Sequence, residues 1–171
     1  MPQEPLTLYK LIVLYMLSRA AFPITKARIG DFILEKEYTN FLTLQQAIAE
    51  LIDTGLITAK SIRNRTHLRI TEDGKETLTY FSGRLNNSIK EEIDAFFISN
   101  EIEMRNEVSI QADYYKSPNG EYETHLLAME KGIPIADIRL SVPDADIAAA
   151  VCDNWQKKNQ EIYKYLISQL F

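Results

Sequence analysis

The segment between residues 58 and 71 is the part of the sequence best suited to bind an anion. It contains no acidic residue and four cations: Lys60, Arg63, Arg65 and Arg69. Lysine and arginine neutralise phosphate charges, and the counterions that they displace favour binding to a nucleic-acid backbone. The residues around Asn64 predict a hairpin that returns through Leu68, so these cations would lie along a protruding wing. The alternative interpretation is a basic turn that is merely exposed to solvent.

A helix predicted from about Leu42 to Thr54 precedes the basic segment and carries polar side chains near its start. The candidates for base contacts are Asn40, Thr43, Gln45 and Gln46. Asparagine and glutamine pair with adenine edges in the major groove, and threonine can contact a phosphate or a thymine methyl. This helix has no lysine or arginine, and its acids lie toward its far end. The glutamines are equally consistent with an ordinary exposed helix face.

The remaining reactive side chains do not form a pattern typical of catalysis. His67 lies in the basic segment, where it would face phosphate or solvent, His125 lies on a predicted strand, and Cys152 lies on a predicted helix. These three residues lack the spacing of metal ligands. The sequence also contains no glycine-rich loop of the kind that holds a phosphate. The sequence therefore predicts no catalytic residue, no metal and no cofactor, and it gives no positive support to a Cys–His nucleophile pair.

Helical periodicity and capping residues organise the first half of the chain. Thr7 is predicted to cap a helix from about Leu8 to Ala21, with Leu8, Leu11, Ile12, Tyr15 and Met16 on its apolar stripe. A second helix is predicted over residues 26–36. Gly55 would end the third helix, and Thr71 would cap a fourth over residues 72–81. Three helices, a hairpin and a closing helix predict a winged helix-turn-helix.

The second half changes from helical to alternating periodicity. Ser88 and Glu91 predict a capping box at the start of a helix. Alternation from Glu107, with turns at residues 117–120 and 130–132, predicts a three-stranded antiparallel meander. A last helix is predicted over residues 145–170, about 39 Å long at 1.5 Å per residue. The fold class is therefore α+β: a winged helix-turn-helix followed by a meander with flanking helices and a long C-terminal helix.

Charge is distributed unevenly between the two halves. Residues 1–80 hold ten Lys/Arg against nine Asp/Glu, and residues 81–171 hold nine against fifteen. The second half would therefore repel phosphate and is better suited to a protein or a small molecule. The polar segment 82–87 predicts a boundary between a winged helix-turn-helix domain over 1–82 and an α/β domain over 83–171 for dimerisation or sensing. One cysteine and no long apolar run predict a cytoplasmic chain.

Ordered motifs on both sides of the hairpin resemble those of known regulators. "Gly-Leu-Ile" at residues 55–57 and "Leu" at 68 with "Thr-x-x-Gly" at 71–74 resemble winged helices of the multiple-antibiotic-resistance and phenolic-acid-repressor kinds. The whole chain resembles an uncharacterised bacterial family of predicted winged-helix transcriptional regulators, a domain of unknown function. The segments that carry this second resemblance are 9–15, 88–90, 152–155 and 161–163.

Together these features predict a homodimeric transcriptional regulator that binds double-stranded DNA in a sequence-specific manner. The wing would contact phosphates and the third helix would enter the major groove, with an effector of unknown kind acting on the second half. The main alternative is a winged-helix adaptor that binds protein and not DNA, because fold alone does not fix function. Five aromatic residues of the second half would fill its core or, alternatively, line an effector pocket: Phe96, Phe97, Tyr114, Tyr122 and Trp155. An enzyme is not expected.

Overall fold

The computed structural model describes residues 5–171, which divide into two compact units. Of these residues, the first unit comprises 5–61 and 65–105, and the second comprises 62–64 and 106–171. The α+β class is confirmed, with two antiparallel three-stranded sheets and a long C-terminal helix. The division falls at Arg105 and not at the polar segment 82–87, where the sequence suggested a boundary.

The first unit has the element order and strand pairing of a winged helix-turn-helix. Its helices are α1 (Pro5–Ser18), α2 (Lys26–Glu35), α3 (Phe41–Asp53), α4 (Glu72–Phe81) and α5 (Asn87–Ser109), whose last turn passes the division. Its strands are β1 (Ile24–Thr25), β2 (Ile57–Ile62) and β3 (Arg65–Ile70), in the sheet order β1-β3-β2. Strand β1 was not predicted from the sequence, because a two-residue strand has no periodicity and forms only through its pairing of Ile24 with Leu68.

Helix α1 is buried around most of its circumference. Its buried residues are Leu11, Ile12, Val13, Leu14, Met16 and Leu17. The predicted one-sided stripe was therefore too narrow, because α1 packs against α3, α4 and β3. A helix that is apolar on all sides is typical of the centre of a core.

Two predicted helix caps are wrong. Thr7 lies within α1, which begins at Pro5. At α5, the side-chain oxygen of Asn86 accepts a hydrogen bond from the Ser88 amide at 2.8 Å, so Asn86 takes the position that the sequence suggested for Ser88. Asparagine and serine both favour helix starts, and the choice between neighbouring polar residues depends on where the chain enters the helix.

Helix α5 belongs mostly to the first unit because its apolar side chains complete that core. Ile93, Phe97 and Met104 are buried with the residues of α1–α4. Phe96 packs on Phe32 with their ring centroids 5.0 Å apart. The prediction that Phe96 and Phe97 would pack in the second half is therefore wrong.

The second unit is a meander covered on one face by a single helix. Strands β4 (Ile110–Lys116), β5 (Tyr122–Glu130) and β6 (Ile133–Val142) pair in that order, and α6 spans Ala145–Leu170. The two residues between β5 and β6, Lys131 and Gly132, both have positive φ, as a tight type I′ hairpin requires. Asp144 caps α6 by accepting a hydrogen bond from the Ile147 amide at 2.8 Å.

Trp155 is the centre of the second core. Its side chain is 1% exposed and packs with Ala112, Leu126, Ala128 and Cys152. Its indole Nε1–H donates a hydrogen bond to the Leu127 carbonyl at 3.2 Å, which satisfies the polar atom of a buried aromatic. Burial raises the pKa of the Cys152 thiol, as expected of a small core residue. Within residues 5–171, no helix is long and apolar enough to cross a membrane.

Candidate nucleic-acid interface

The base of the hairpin is held by hydrogen bonds between the end of α3 and the start of α4. Gly55 ends α3 with φ of 74°, a left-handed conformation that glycine adopts without strain. The amide and hydroxyl of Thr71 approach the Leu56 carbonyl at 3.1 and 3.0 Å. The Thr71 hydroxyl also lies 2.7 Å from the Gly55 carbonyl and accepts a hydrogen bond from the Gly74 amide at 3.1 Å.

Gly74 allows this junction to close. A Cβ atom at Gly74 would lie 2.1 Å from the Leu56 carbonyl oxygen and 2.7 Å from Cγ1 of Ile70. The two motifs that flank the hairpin are therefore the two halves of one contact. The two motifs occur together for a physical reason. Thr71 bonds to the Gly55 and Leu56 carbonyls, and the Leu56 carbonyl leaves no room for a side chain at residue 74.

Exposed cations line the two strands of the hairpin. Arg65 and Arg69 lie on the same face of β3, because side chains alternate along a strand, and both are exposed. Lys60 on β2 is exposed as well. Among the described residues, no ion pair joins any of these three cations to an acid.

Arg63 has a different environment from the other three cations. With Asn64 it forms the two-residue loop of the hairpin, and their φ angles of 45° and 66° are typical of a type I′ turn. Within the second unit, its Nη2 lies 2.8 Å from Oδ1 of Asp153 in α6. A phosphate at Arg63 would therefore have to displace a carboxylate.

The four predicted base-contacting residues of α3 differ in what their side chains do. Asn40 is the N-cap, and its Oδ1 accepts a hydrogen bond from the Thr43 amide at 2.9 Å. Thr43 and Gln45 are partly buried, and Gln46 is exposed. Gln46 Nε2 donates a hydrogen bond to Glu50 at 3.2 Å. Of the four, Gln46 is the residue whose position is best suited to a base edge.

Helix α3 presents apolar side chains to solvent that were not predicted from the sequence. Phe41 is 60% exposed and Leu42 is 78% exposed, and Ala49 is exposed one turn beyond Gln46. The buried residues Leu44, Ala47, Ile48 and Leu51 cover the opposite side of the helix. The spacing of Leu42 in the sequence could have indicated this exposure. It lies two residues before Leu44 and six before Ile48, whereas residues on one face of a helix are three or four apart.

The acids of α3 lie away from its first turns. No acidic residue lies in the first turn, and Glu50 forms an ion pair with Lys10 of α1. Hydrogen bonds from Lys10 and Gln46 lower the pKa of Glu50, so this carboxylate is ionised at neutral pH and its charge is balanced locally. Asp53 is the last residue of the helix. The start of α3 is therefore an uncharged surface.

His67 is buried and does not face phosphate or solvent, contrary to expectation. Its side chain is 5% exposed, and it lies opposite Thr25 in the pairing of β1 with β3. In residues 5–171, no group of three His, Cys, Asp or Glu side chains is arranged to hold a metal ion.

Comparison with known proteins identifies a family but assigns no activity. Residues 9–170 match the family described as "Domain of unknown function (DUF4364)". No curated protein matches the chain. The solved structure of SSV1 F-93 is 17% identical with a TM-score of 0.37, and the match covers 58% of this chain and 97% of that one.

Proposed function

The chain belongs to the DUF4364 family of domains of unknown function, and we propose that it is a transcriptional regulator whose first unit binds double-stranded DNA. The observation that carries the proposal is that the first unit has both an exposed cationic hairpin and a helix whose first turn contains no acid. In a winged helix-turn-helix, these two elements are the ones that contact the backbone and the major groove.

The hairpin supplies the phosphate contacts in this proposal. Lys60, Arg65 and Arg69 are exposed cations on two adjacent strands. Such contacts give affinity and position the protein, but they carry little sequence information. Each phosphate that a cation neutralises contributes about −0.9 to the slope of log affinity against log salt.

Helix α3 supplies the base contacts. Gln46 is exposed, and its amide has the donor and acceptor that match the N7 and N6 positions of adenine, which would take the place of Glu50 as the partner of Nε2. Gln45 and Thr43 flank it with partly buried side chains, so they would contact sugar and phosphate at the edges of the groove. Asn40 caps the helix and so positions its first turn. In this proposal Asn40 does not contact a base.

A homodimer is the form in which we propose that the chain acts, with the second unit providing dimerisation or sensing. Two copies of α3 would then enter major grooves about 10 base pairs apart, or a multiple of that distance. The proposed site would be a palindrome, because two-fold symmetry in the protein is matched by two-fold symmetry in the DNA.

A protein-binding adaptor is the second candidate, and the first turn of α3 favours it. Phe41 and Leu42 are adjacent and largely exposed. Exposed aromatic and aliphatic side chains are typical anchors of protein interfaces. An adaptor of this kind would bind through α3 without any requirement for the cations of the hairpin.

Selection of DNA followed by salt titration separates the two candidates. The full chain is incubated with random-sequence duplexes, and the retained duplexes are sequenced. The affinity for an enriched duplex is then measured by fluorescence anisotropy between about 50 and 200 mM salt, a range over which phosphate contacts weaken strongly. Enrichment of a palindrome is the expected result, and absence of retention at low salt would favour the adaptor.

A double variant tests the assignment of the hairpin. Lys60→Ala with Arg65→Ala should lower the steepness of the salt dependence by about 1.8, which is two phosphate contacts at about 0.9 each. The control is Lys157→Ala with Lys158→Ala, which removes the same charge from exposed positions of α6. Equal slopes for the hairpin variant and the parent would contradict the proposed backbone contact.

A further inference from the structure

The outward face of α3 combines methyl groups with an amide. Leu42, Gln46 and Ala49 are separated by four and three residues, so they lie on one stripe of the helix, and all three are exposed. From Leu42 to Ala49 the helix rises about 10 Å, at 1.5 Å per residue. That distance matches about three base steps of DNA at 3.4 Å each.

None of these three side chains is charged. Acidic side chains are absent from the first turn of α3. Glu50, which accepts a hydrogen bond from Gln46, is paired with Lys10, and the exposed Asp53 follows Ala49 by four residues at the end of the helix. Neither Leu42 nor Ala49 has a polar atom in its side chain, so neither can hydrogen-bond to a base edge or a phosphate. The contact that each can make in a major groove is an apolar one.

The thymine 5-methyl group is the apolar group on the floor of the major groove. An A·T pair presents this methyl beside the N6 and N7 groups of adenine, which an amide side chain recognises. A stripe with a leucine, a glutamine and an alanine matches this combination of a methyl and a hydrogen-bonding edge. A G·C pair offers no methyl group, so it leaves the leucine without a partner.

We infer that Leu42 and Ala49 of α3 contact thymine methyl groups and select duplexes with thymine at the contacted positions. This inference rests on the proposed function, since it names the bases that the DNA-binding surface prefers. Leu42 has the larger effect, because its side chain is 78% exposed and would become buried against the base. Burial of one methyl group changes affinity about fourfold.

Replacement of thymine by deoxyuridine tests the inference, because it removes the 5-methyl and leaves base pairing intact. The probe is a duplex recovered by selection from random sequences, synthesised once with thymine and once with deoxyuridine throughout. The parent protein should bind the deoxyuridine duplex about fourfold more weakly for each thymine methyl that it buries in the natural duplex. Leu42→Ala should reduce this ratio of dissociation constants toward one.

The control variant is Ile98→Ala, which truncates an exposed aliphatic side chain of α5 that is 84% accessible. It should keep the ratio of the parent, and thermal unfolding checks that both variants are folded. A parent that binds both duplexes equally would overturn the inference and leave the proposed function intact. An unchanged ratio in Leu42→Ala would overturn the assignment of that residue. Retention of no duplex in the selection would overturn the proposed function and this inference together, in favour of the adaptor.

Discussion

Gly74→Ala should destabilise the first unit, although helix propensity alone predicts the opposite. Gly74 lies in the first turn of α4, and alanine is favoured over glycine within a helix by about 1 kcal/mol. A Cβ atom at this position would lie 2.1 Å from the Leu56 carbonyl oxygen. Because that oxygen belongs to the backbone, the clash is relieved only if α4 moves away from the end of α3.

The cost of that movement follows from the hydrogen bonds that it breaks. Overpacking of a close contact costs about 1–3 kcal/mol. The amide and hydroxyl of Thr71 would no longer reach the Leu56 carbonyl, at about 0.5–1.5 kcal/mol for each bond. After subtraction of the propensity gain, the free energy of unfolding should fall by about 3 kcal/mol. In a chain of this size, that change lowers Tm by about 6–12 °C.

Thermal unfolding followed by far-UV circular dichroism measures this change. The matched control is Gly83→Ala, because an added Cβ there meets no heavy atom within 4 Å. The control should lie within about 0.5 kcal/mol of the parent, as most surface substitutions do. A Gly74→Ala variant that melted at or above the parent temperature, while Gly83→Ala behaved as expected, would contradict the predicted clash with the Leu56 carbonyl.

Two further predictions concern residues whose roles the structure assigns. Asn40→Ala should lower stability by about 1 kcal/mol while Asn40→Asp retains it, because aspartate caps a helix as well as asparagine does; a chemical denaturation series measures both, and equal losses would exclude the capping role. Asp153→Asn should release Arg63 from its ion pair and steepen the salt dependence of DNA affinity by about 0.9, one additional phosphate contact. Glu161→Gln removes the same charge elsewhere on α6 as a control, and an equal gain from that variant would show a general charge effect and not a release of Arg63.

Local sequence signals were sufficient for several elements. The bounds of α4 and α6 agree with the predicted 72–81 and 145–170, and Thr71 caps α4 as expected. The caps at Thr71 and Asp144 are each a hydrogen bond between a side chain and the amide three residues later, so the information lies within one turn. The meander was predicted for the same reason, because alternation and turn residues are properties of short segments.

The candidate site was only partly predictable. The positions of the cationic hairpin and of α3 followed from the order of the motifs, and Lys60, Arg65 and Arg69 are exposed as the sequence suggested. Residue type alone did not distinguish a capping amide at Asn40 from an exposed one at Gln46. It also did not reveal Leu42, since an apolar side chain in a helix is normally assigned to the core.

Tertiary structure decided which surfaces meet. The apolar face of α5 was evident in the sequence, but periodicity does not say which core it completes, and the structure places Ile93 and Phe97 in the first. The burial of His67, the ion pair of Arg63 with Asp153, and the need for glycine at residue 74 are likewise contacts between residues distant in sequence. The sequence by itself therefore determined the longer helices and strands and their order, because capping and periodicity act over a few residues, but not β1, which forms only by pairing with β3. Only the folded chain determined the environment of each functional side chain, because burial and ion pairing depend on which residues packing brings together.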